Sequence, residues 1–444
     1  MRARARDDGA VIDSPHSITP RRSTAARRAV ALVALLLVAF ALVQALHKAR
    51  KGQCAILKWR TQVEQLANGE MIYAREDAAT REGFPTLPTT ALALRPLLAL
   101  DDVPAAMLWA GLKLALAAWM LLTVVRMATG ETRTFPPWAW LLLLVLSARV
   151  LLSDIAHGNI NIPVAAAVVA AGRQWQRGRE AAAGWFAGLG AVLKITPALF
   201  LAYFAWKRSP RACVHMLAAI AVFGLLLPML FLGPAHHVEL LAGWWQQMVE
   251  PFASGAPLRI MQTEQTNQSL LGVLARVASE CTAIRARPGV FDTDVSIHVI
   301  ALSPGALQLT FRALAFGLLA IAAWFACVPR ARRAEDSTLG ELALLVLLML
   351  FLSERSWKQH YVTLCVPLAY LLGQLTRRGM RNPVWRASAA ALIASSLLHG
   401  LSGSGVLGER GSDFAEAWGV WFWGGLALFL ACGYAVRRTA RAAH

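Results

Sequence analysis

Side chains that suit a phosphate-bearing ligand are concentrated in one short segment, residues 353–360, between two apolar runs. Arg355 and Lys358 could clamp a phosphate group through charge-assisted hydrogen bonds. His360 could donate a hydrogen bond to the same group or move a proton during catalysis. The alternative interpretation is an interfacial belt, in which the aromatic residues of this segment lie at the depth of the lipid headgroups.

A second polar segment, residues 154–161, closes the third apolar run of the chain. The carboxylate of Asp154 could act as a general base near a membrane boundary. His157, Asn159 and Asn161 could bind the hydroxyl groups of a sugar. The alternative is a hydrogen-bonded turn that only caps the two flanking helices.

Two longer polar loops add further candidates. Asn267 and Gln268 stand in a stretch of amides and hydroxyls that could contact a sugar, although such residues also suit any water-facing loop. Glu64 and Glu70 follow the first apolar run and are the next candidates for a general base after Asp154.

Four basic residues lie inside apolar runs, where an ionised side chain costs roughly 2.5–3.5 kcal/mol at mid-span. Arg149 precedes Asp154 by five residues on one predicted helix, so an ion pair between them is the structural alternative for both. Lys113 and Arg312 are interpreted as deep residues whose charged ends reach the membrane surface. Lys194 lies beside a proline break at the centre of its run, which favours a cavity-lining, phosphate-binding role.

The composition places all these residues in a membrane protein. Of 444 residues, 57% are hydrophobic and 16% are charged, and the mean hydropathy is +0.49. This balance excludes a water-soluble enzyme, a disordered chain and a disulfide-built secreted module. The net charge of +18 is better explained by membrane orientation than by nucleic acid. The six scattered cysteines form no zinc-type spacing, so neither a metal nor another cofactor is predicted.

The apolar runs predict an all-α polytopic membrane protein with about ten full transmembrane helices plus a re-entrant helical hairpin. The hairpin is predicted at 181–206, because basic clusters stand at both of its ends and a proline breaks its centre. The full spans are predicted near 29–46, 104–125, 137–153, 160–171, 213–233, 306–328, 342–353, 361–375, 387–401 and 416–436.

The basic clusters also predict which ends lie inside the cell. Lys and Arg collect on the cytoplasmic side of membrane proteins. A cytoplasmic arm (1–28), a single membrane domain (29–436) and a cytoplasmic tail (437–444) therefore follow. The outer loops are then about 48–103, 234–305 and 353–360, and they carry the candidate site.

Four motifs in order resemble those of one family. The chain is similar to the bacterial multi-pass glycosyltransferases that use a polyprenyl-phosphate sugar, the alpha-mannosyltransferase-like group of glycosyltransferase family 87 within the GT-C superfamily. The matching stretches are Gly158-Asn159-Ile160-Asn161 (family Gly-Gln-x-Asn), the glycine-rich run ending in Lys194-Ile195-Thr196-Pro197 (Lys-x-x-Pro), Asn267-Gln268-Ser269-Leu270 (Asn-Gln-Ser-Leu), and Leu352-Ser353 with Ser356-Trp357 and His360 (Leu-Ser-Pro-x-Ser-Trp-x-His-His).

The resemblance implies a GT-C-like bundle that moves a mannose-like hexose, with inversion, from a polyprenyl-phosphate donor to a glycolipid or glycan acceptor at the outer face. The family usually places an Asp after the first span, and the corresponding position here falls near Ala55. No Asp occurs between Gln53 and Arg75. The alternatives are a flippase or transporter of lipid-linked sugars, for which no inverted repeat is seen, and a non-catalytic relative that only binds a lipid carrier. The oligomeric state is not indicated.

Overall fold

The computed structural model describes residues 20–73, 84–130, 134–250, 263–328 and 336–441. Most of the predicted cytoplasmic arm, residues 1–19, and the last three residues of the tail lie outside these ranges. The division of the chain into arm, membrane domain and tail stays a prediction.

The described residues form helices joined mostly by short turns, with one long loop at 279–303 that holds two isolated β-bridges, and they contain no strand. The all-α fold class is therefore confirmed. The helices are α1 (Pro20–Arg50), α2 (Ala55–Lys58), α3 (Arg60–Ala67), α4 (Pro88–Leu98), α5 (Asp102–Thr129), α6 (Pro137–His157), α7 (Asn161–Gln176), α8 (Glu180–Leu193), α9 (Leu199–Trp206), α10 (Pro210–Leu232), α11 (Pro234–Met248), α12 (Leu270–Ala278), α13 (Pro304–Phe325), α14 (Ser337–Phe351), α15 (Cys365–Arg377), α16 (Pro383–Leu401), α17 (Ser404–Ala417) and α18 (Val420–Arg441).

Long apolar helices form the outside of the bundle. In the described part of the chain, six helices are long and apolar enough to cross a bilayer: α1, α5, α6, α10, α13 and α18. A seventh span results if α16 and α17, which meet at 90°, are counted together. Leu35, Leu230 and Phe316 on the outer faces of α1, α10 and α13 are 70%, 82% and 74% exposed. Such exposure of large apolar side chains fits contact with lipid, so the polytopic membrane class is confirmed.

Short helices form the inside of the bundle, and here the prediction of ten full spans differs from the structure. The apolar runs 160–171, 342–353 and 361–375 fold as α7, α14 and, with the 3-10 turn before it, α15. These helices have 16, 15 and 13 residues. At 1.5 Å per residue α7 and α14 are at most about 24 Å long, whereas the hydrocarbon core is about 30 Å thick. Helix α15 alone is about 20 Å long, and the 3-10 turn Lys358–Leu364 before it adds seven residues. All residues of α14 except one are buried. These helices are apolar because protein surrounds them.

The run 181–206 folds as two short helices, α8 and α9, as predicted. Between them Lys194 is extended (φ −157°, ψ 132°), and a 3-10 turn covers Thr196–Ala198. Pro197 lies within this turn, where its fixed φ and missing N–H prevent α8 from continuing. Whether the run enters and leaves on one side of the membrane stays a prediction.

Close contact between α8 and α10 holds this broken run in place. Gly184 and Gly188 are one turn apart on α8 and both are buried. A Cβ atom on Gly184 would lie 2.5 Å from the Ala212 carbonyl oxygen, and one on Gly188 would lie 2.6 Å from the Met216 carbonyl oxygen. Small residues at this spacing let two helix backbones approach closely inside a membrane.

Replacing either glycine should therefore loosen the bundle. We expect Gly184→Ala and Gly188→Ala to destabilise the protein by about 1–3 kcal/mol, because the new methyl group meets the backbone of α10. The measurement is the thermal unfolding midpoint in detergent. Gly317→Ala on α13 is the control, since nothing lies within 4 Å of a Cβ there. Equal midpoints for the three variants would contradict the close contact.

Candidate functional site

A cavity of about 540 Å³ lies where the ends of the short inner helices meet. Its wall is formed by the start of α7, the break between α8 and α9, the end of α14 and the polar turn 353–360. Residues 85–87 and part of α11 complete the wall. Segments of three of the four sequence motifs thus come together. The polar lining residues are Thr86, Asn159, Asn161, Lys194, Thr196, Ser353, Glu354, Arg355, Trp357 and His360.

One side of the cavity carries basic residues from two separate elements. Lys194 comes from the extended break after α8, and Arg355 and His360 come from the polar turn. The Arg355 guanidinium lies over the Trp357 ring, 4.4 Å from its centroid. Burial lowers the pKa of Arg355 from its usual 12.5, with the nearby carboxylates of Glu354 and Glu264 opposing that shift. Arg355 remains a cation at neutral pH.

His360 is a neutral hydrogen-bonding group in this setting. Burial and the positive charges of Lys194 and Arg355 lower the pKa of His360 well below 6.5. His360 Nδ1 lies 3.2 Å from the backbone N–H of Trp357, which donates to it, and 3.1 Å from the Arg355 carbonyl oxygen. In the tautomer that accepts the Trp357 N–H, the ring proton is on Nε2. That tautomer can donate to an anionic ligand while the ring is uncharged.

A row of buried, hydrogen-bonded side chains leads from the bundle interior to this cavity. Lys113 Nζ lies 2.7 Å from Asp154 Oδ2, and neither side chain is exposed. Asp154 Oδ1 accepts a hydrogen bond from Asn161 Nδ2 at 2.8 Å. The amide oxygen of Asn161 in turn accepts from Lys194 Nζ at 3.2 Å. Asn161 and Lys194 line the cavity, whereas Lys113 and Asp154 do not.

The ion pair expected between Arg149 and Asp154 is wrong. Arg149 donates to the His399 carbonyl and, at 3.1 Å, to Ser402 Oγ, and it lies over the Trp421 ring. Asp154 is instead paired with a residue of the neighbouring helix α5. The expectation that Lys113 reaches the membrane surface is wrong as well, because its ammonium group is fully buried. Arg312 is exposed on α13, and whether its charged end reaches the membrane surface stays a prediction.

Asn267 and Gln268 lie behind the cavity wall, where their side chains are hydrogen-bonded to backbone groups. The Asn267 amide donates to the Glu354 carbonyl at 3.0 Å and accepts the Ser356 N–H at 3.0 Å. The Gln268 amide donates to the carbonyls of Gln265 and Glu416, at 2.6 and 2.7 Å. Both side chains are at most 1% exposed and neither lines the cavity. The Asn267 side chain holds the polar turn, whereas the Gln268 side chain joins its own loop to the end of α17. Contact of either residue with a sugar stays a prediction.

Four other candidates lie away from the cavity wall. Glu64 and Glu70 are exposed around the end of α3, and Lys358 is exposed on the outer side of the polar turn. His157 is half-buried at the end of α6. None of the four lines the cavity. Within the described ranges no three His, Cys, Asp or Glu residues form a group that could hold a metal ion, and the prediction that no metal is needed stays a prediction.

Comparison with known proteins decides the family. The model of "Glycosyltransferase family 87" matches residues 87–353, which is more than half of the chain and includes every helix that borders the cavity. The chain belongs to glycosyltransferase family 87. The resemblance seen in the sequence motifs is thereby confirmed.

Two curated relatives carry the same name, polyprenol-phosphate-mannose-dependent alpha-(1-2)-phosphatidylinositol mannoside mannosyltransferase. The protein of Mycobacterium tuberculosis is 27% identical over 267 residues, which are 58% of this chain and 51% of that protein. The protein of Mycolicibacterium smegmatis is 25% identical over 403 residues, 82% of this chain and 80% of that protein. The chain thus spans about half the length of the first relative. No solved structure gives a significant match.

The start of the first outer loop shows how this member departs from the family pattern. Cys54, next to the position where the family Asp is expected, packs against Gly158 and lies 3.9 Å from the Ala156 carbonyl oxygen. Gly158 adopts φ 78°, and a Cβ there would lie 3.3 Å from the Cβ of Cys54. Cys54 is therefore buried beside the 154–161 turn, Ala55 is half-buried, and neither residue carries a carboxylate.

Among the lining residues that were not sequence candidates, two could take part in binding or chemistry. Glu354 is the one carboxylate in the described part of the chain that lines the cavity. Trp244 on α11 also lines it, and its indole N–H has no hydrogen-bond partner among the described residues. The signal for Glu354 was present in the sequence, since it is the only acid of the polar turn. Trp244 gave no such signal, because a tryptophan pair equally fits a membrane-surface anchor.

Removing the Asn267 amide should disorder the polar turn. We expect Asn267→Ala to lower the free energy of unfolding by about 1–3 kcal/mol, because buried backbone groups of Glu354 and Ser356 lose their partners. The thermal midpoint in detergent measures this loss. Asn68→Ala is the control, since Asn68 is exposed and makes only a 3.4 Å hydrogen bond to Glu70. An unchanged midpoint combined with weaker sugar binding would restore the sugar-contact role.

Proposed function

We propose that this chain is a membrane glycosyltransferase that moves a mannose-like hexose from a polyprenyl-phosphate donor to a hydroxyl group of a glycolipid or glycan. Family membership and the names of the two relatives support the reaction class. The observation that carries the proposal is the cavity, which combines two cations with a long apolar wall. We place the reaction at the outer face of a bacterial cytoplasmic membrane with both termini inside, on the asymmetry of the basic clusters.

The donor is proposed to bind with its phosphate at the basic side of the cavity and its lipid tail along the apolar wall. Lys194 and Arg355 hold the phosphate, and His360 donates a further hydrogen bond to it. The first isoprene units lie along the apolar wall, which is formed by Ile195, Ala198, Leu199, Ala202, Met248 and Val249. Ile195 is 53% exposed, so this wall leaves apolar surface open to a tail. A volume near 540 Å³ lies within the range of about 300–1,000 Å³ that small-molecule sites occupy.

The same arrangement supplies what the chemistry requires. In an inverting transfer, the acceptor oxygen forms a bond to C1 of the sugar while the bond from C1 to the phosphate oxygen breaks. Negative charge grows on the departing phosphate, and Lys194 and Arg355 stabilise it. The acceptor proton goes to a carboxylate, for which Glu354 has the best position among the described acids. Asn159 and Asn161 contact sugar hydroxyls.

Loss of either cation should weaken donor binding. We expect Lys194→Met and Arg355→Met each to raise the Kd for polyprenyl phosphate at least about 10-fold, the effect of a lost charge-assisted hydrogen bond of about 1.5–3 kcal/mol. Titration in nanodiscs measures the Kd. Arg381→Met, an exposed cation between α15 and α16, is the control. Wild-type Kd values in both cavity variants would contradict the donor site.

Loss of the cavity carboxylate should affect chemistry and not binding. We expect Glu354→Gln to lower the rate of transfer about 10²–10⁴-fold, the usual contribution of a general base, with the Kd for polyprenyl phosphate unchanged. Transfer from a radiolabelled donor in membranes measures the rate, and Glu409→Gln, an exposed acid on α17, is the control. Full activity in Glu354→Gln would remove Glu354 from the reaction. Donor flipping without transfer in the wild type would favour the transporter interpretation.

A further inference from the structure

The Asn161 side chain lies between the Asp154 carboxylate and the Lys194 side-chain nitrogen. Its Nδ2 donates to the Asp154 carboxylate at 2.8 Å, and its Oδ1 accepts from Lys194 Nζ at 3.2 Å. A carboxylate can only accept, so Asp154 fixes which way the amide points and leaves the amide oxygen facing Lys194. A rotation by 180° would place two acceptors together at one end and two donors together at the other.

In this row of hydrogen-bonded side chains, the Lys113–Asp154 ion pair is held more firmly than Lys194. Lys113 and Asp154 are both 0% exposed and 2.7 Å apart, and Lys113 also donates to the Asp154 backbone carbonyl. Breaking such a pair would leave a buried charge without a counter-charge, which is strongly unfavourable. Lys194, by contrast, extends a flexible side chain from a non-helical break. A long lysine side chain loses considerable rotamer freedom when it is held in one position.

We infer that Lys113, Asp154 and Asn161 form a positioning relay that holds the Lys194 ammonium group where the donor phosphate binds. Asp154 is then a positioning residue, acting on the donor through Asn161 and Lys194, and it takes no proton from the acceptor. This inference rests on the proposed function, because it gives Lys194 the donor phosphate as its ligand. It extends the site into the bundle by two residues that never touch substrate.

The test removes the relay without leaving a lone buried charge. The double variant Lys113→Met/Asp154→Leu replaces the ion pair with apolar side chains of similar size, and neither residue lines the cavity. We expect the Kd for polyprenyl phosphate to rise about 5- to 50-fold, within the range of measured pairwise couplings. The kcat at saturating donor should change less than the Kd. In a Lys194→Met background the same double variant should cause no further loss of donor affinity.

A control separates this role from general stability. Lys207 and Glu341 form another buried ion pair, with Nζ and Oε1 2.9 Å apart and side chains 5% and 0% exposed. Lys207→Met/Glu341→Leu should leave the donor Kd near the wild-type value, whatever its effect on the thermal midpoint. If the Lys113/Asp154 variant does not fold, Asn161→Leu replaces it in the same comparison with and without Lys194→Met.

Three results would overturn the relay. The first is wild-type donor affinity in a folded Lys113/Asp154 variant. The second is an equal loss of affinity in the presence and absence of Lys194, because a relay through Lys194 cannot act once that residue is gone. The third is a kcat reduced more than about 10³-fold with the Kd unchanged, which would make Asp154 the general base.

A second readout does not depend on donor binding. The rate at which an amine-specific acetylating reagent modifies Lys194, followed by mass spectrometry, should rise in the relay variant because the side chain is released. An unchanged rate would contradict the relay. If the wild type neither binds polyprenyl phosphate nor transfers sugar, the proposed function fails, whereas the acetylation result still decides whether Lys194 is held.

Discussion

An ionised side chain inside an apolar helical bundle must be paired or must face a cavity, and this requirement organises the whole molecule. Asp154 neutralises Lys113, and Glu341 neutralises Lys207, both out of reach of water. Arg276 is fully buried and is satisfied by backbone carbonyls of Glu264 and Ala417. Lys194 and Arg355 escape such full pairing and line the same cavity. The charged side chains that can bind a ligand are therefore those that line the cavity and are not neutralised by a buried ion pair.

The cavity exists because the inner helices are shorter than the outer ones. Helices α7 and α14 end well within the length of the long helices around them, and their ends leave room that side chains do not fill. Irregular backbone is tolerated there because protein surrounds it. The break after α8 and the polar turn 353–360 both use this tolerance. The same arrangement, long helices outside and short helices inside, therefore determines both which helices face lipid and where the cavity lies.

The sequence predicts the components of the site better than their contacts. Lys194 is predicted because an ionisable residue inside an apolar run is costly unless it faces a cavity or a partner. Asn161, Arg355 and His360 are predicted because polar residues are concentrated in the short segments to which they belong. The partner of Asp154 could not be predicted, since spacing along α6 contains no information about α5. Asn267 was ambiguous for a chemical reason: an amide suits a sugar hydroxyl and a backbone peptide group equally well. Six or seven helices of the described ranges are long enough to span, against ten predicted spans, because apolar residues facing protein and apolar residues facing lipid look alike in a sequence.

The account depends on where the donor phosphate binds. A cryo-electron microscopy structure with a non-transferable polyprenyl-phosphate sugar analogue locates it most directly. We expect the phosphate within hydrogen-bonding distance of Lys194 Nζ and of the Arg355 guanidinium, with the lipid tail leaving past Ile195. Density for the phosphate on the surface of the first outer loop, beside Lys58 and away from Lys194, would contradict the account.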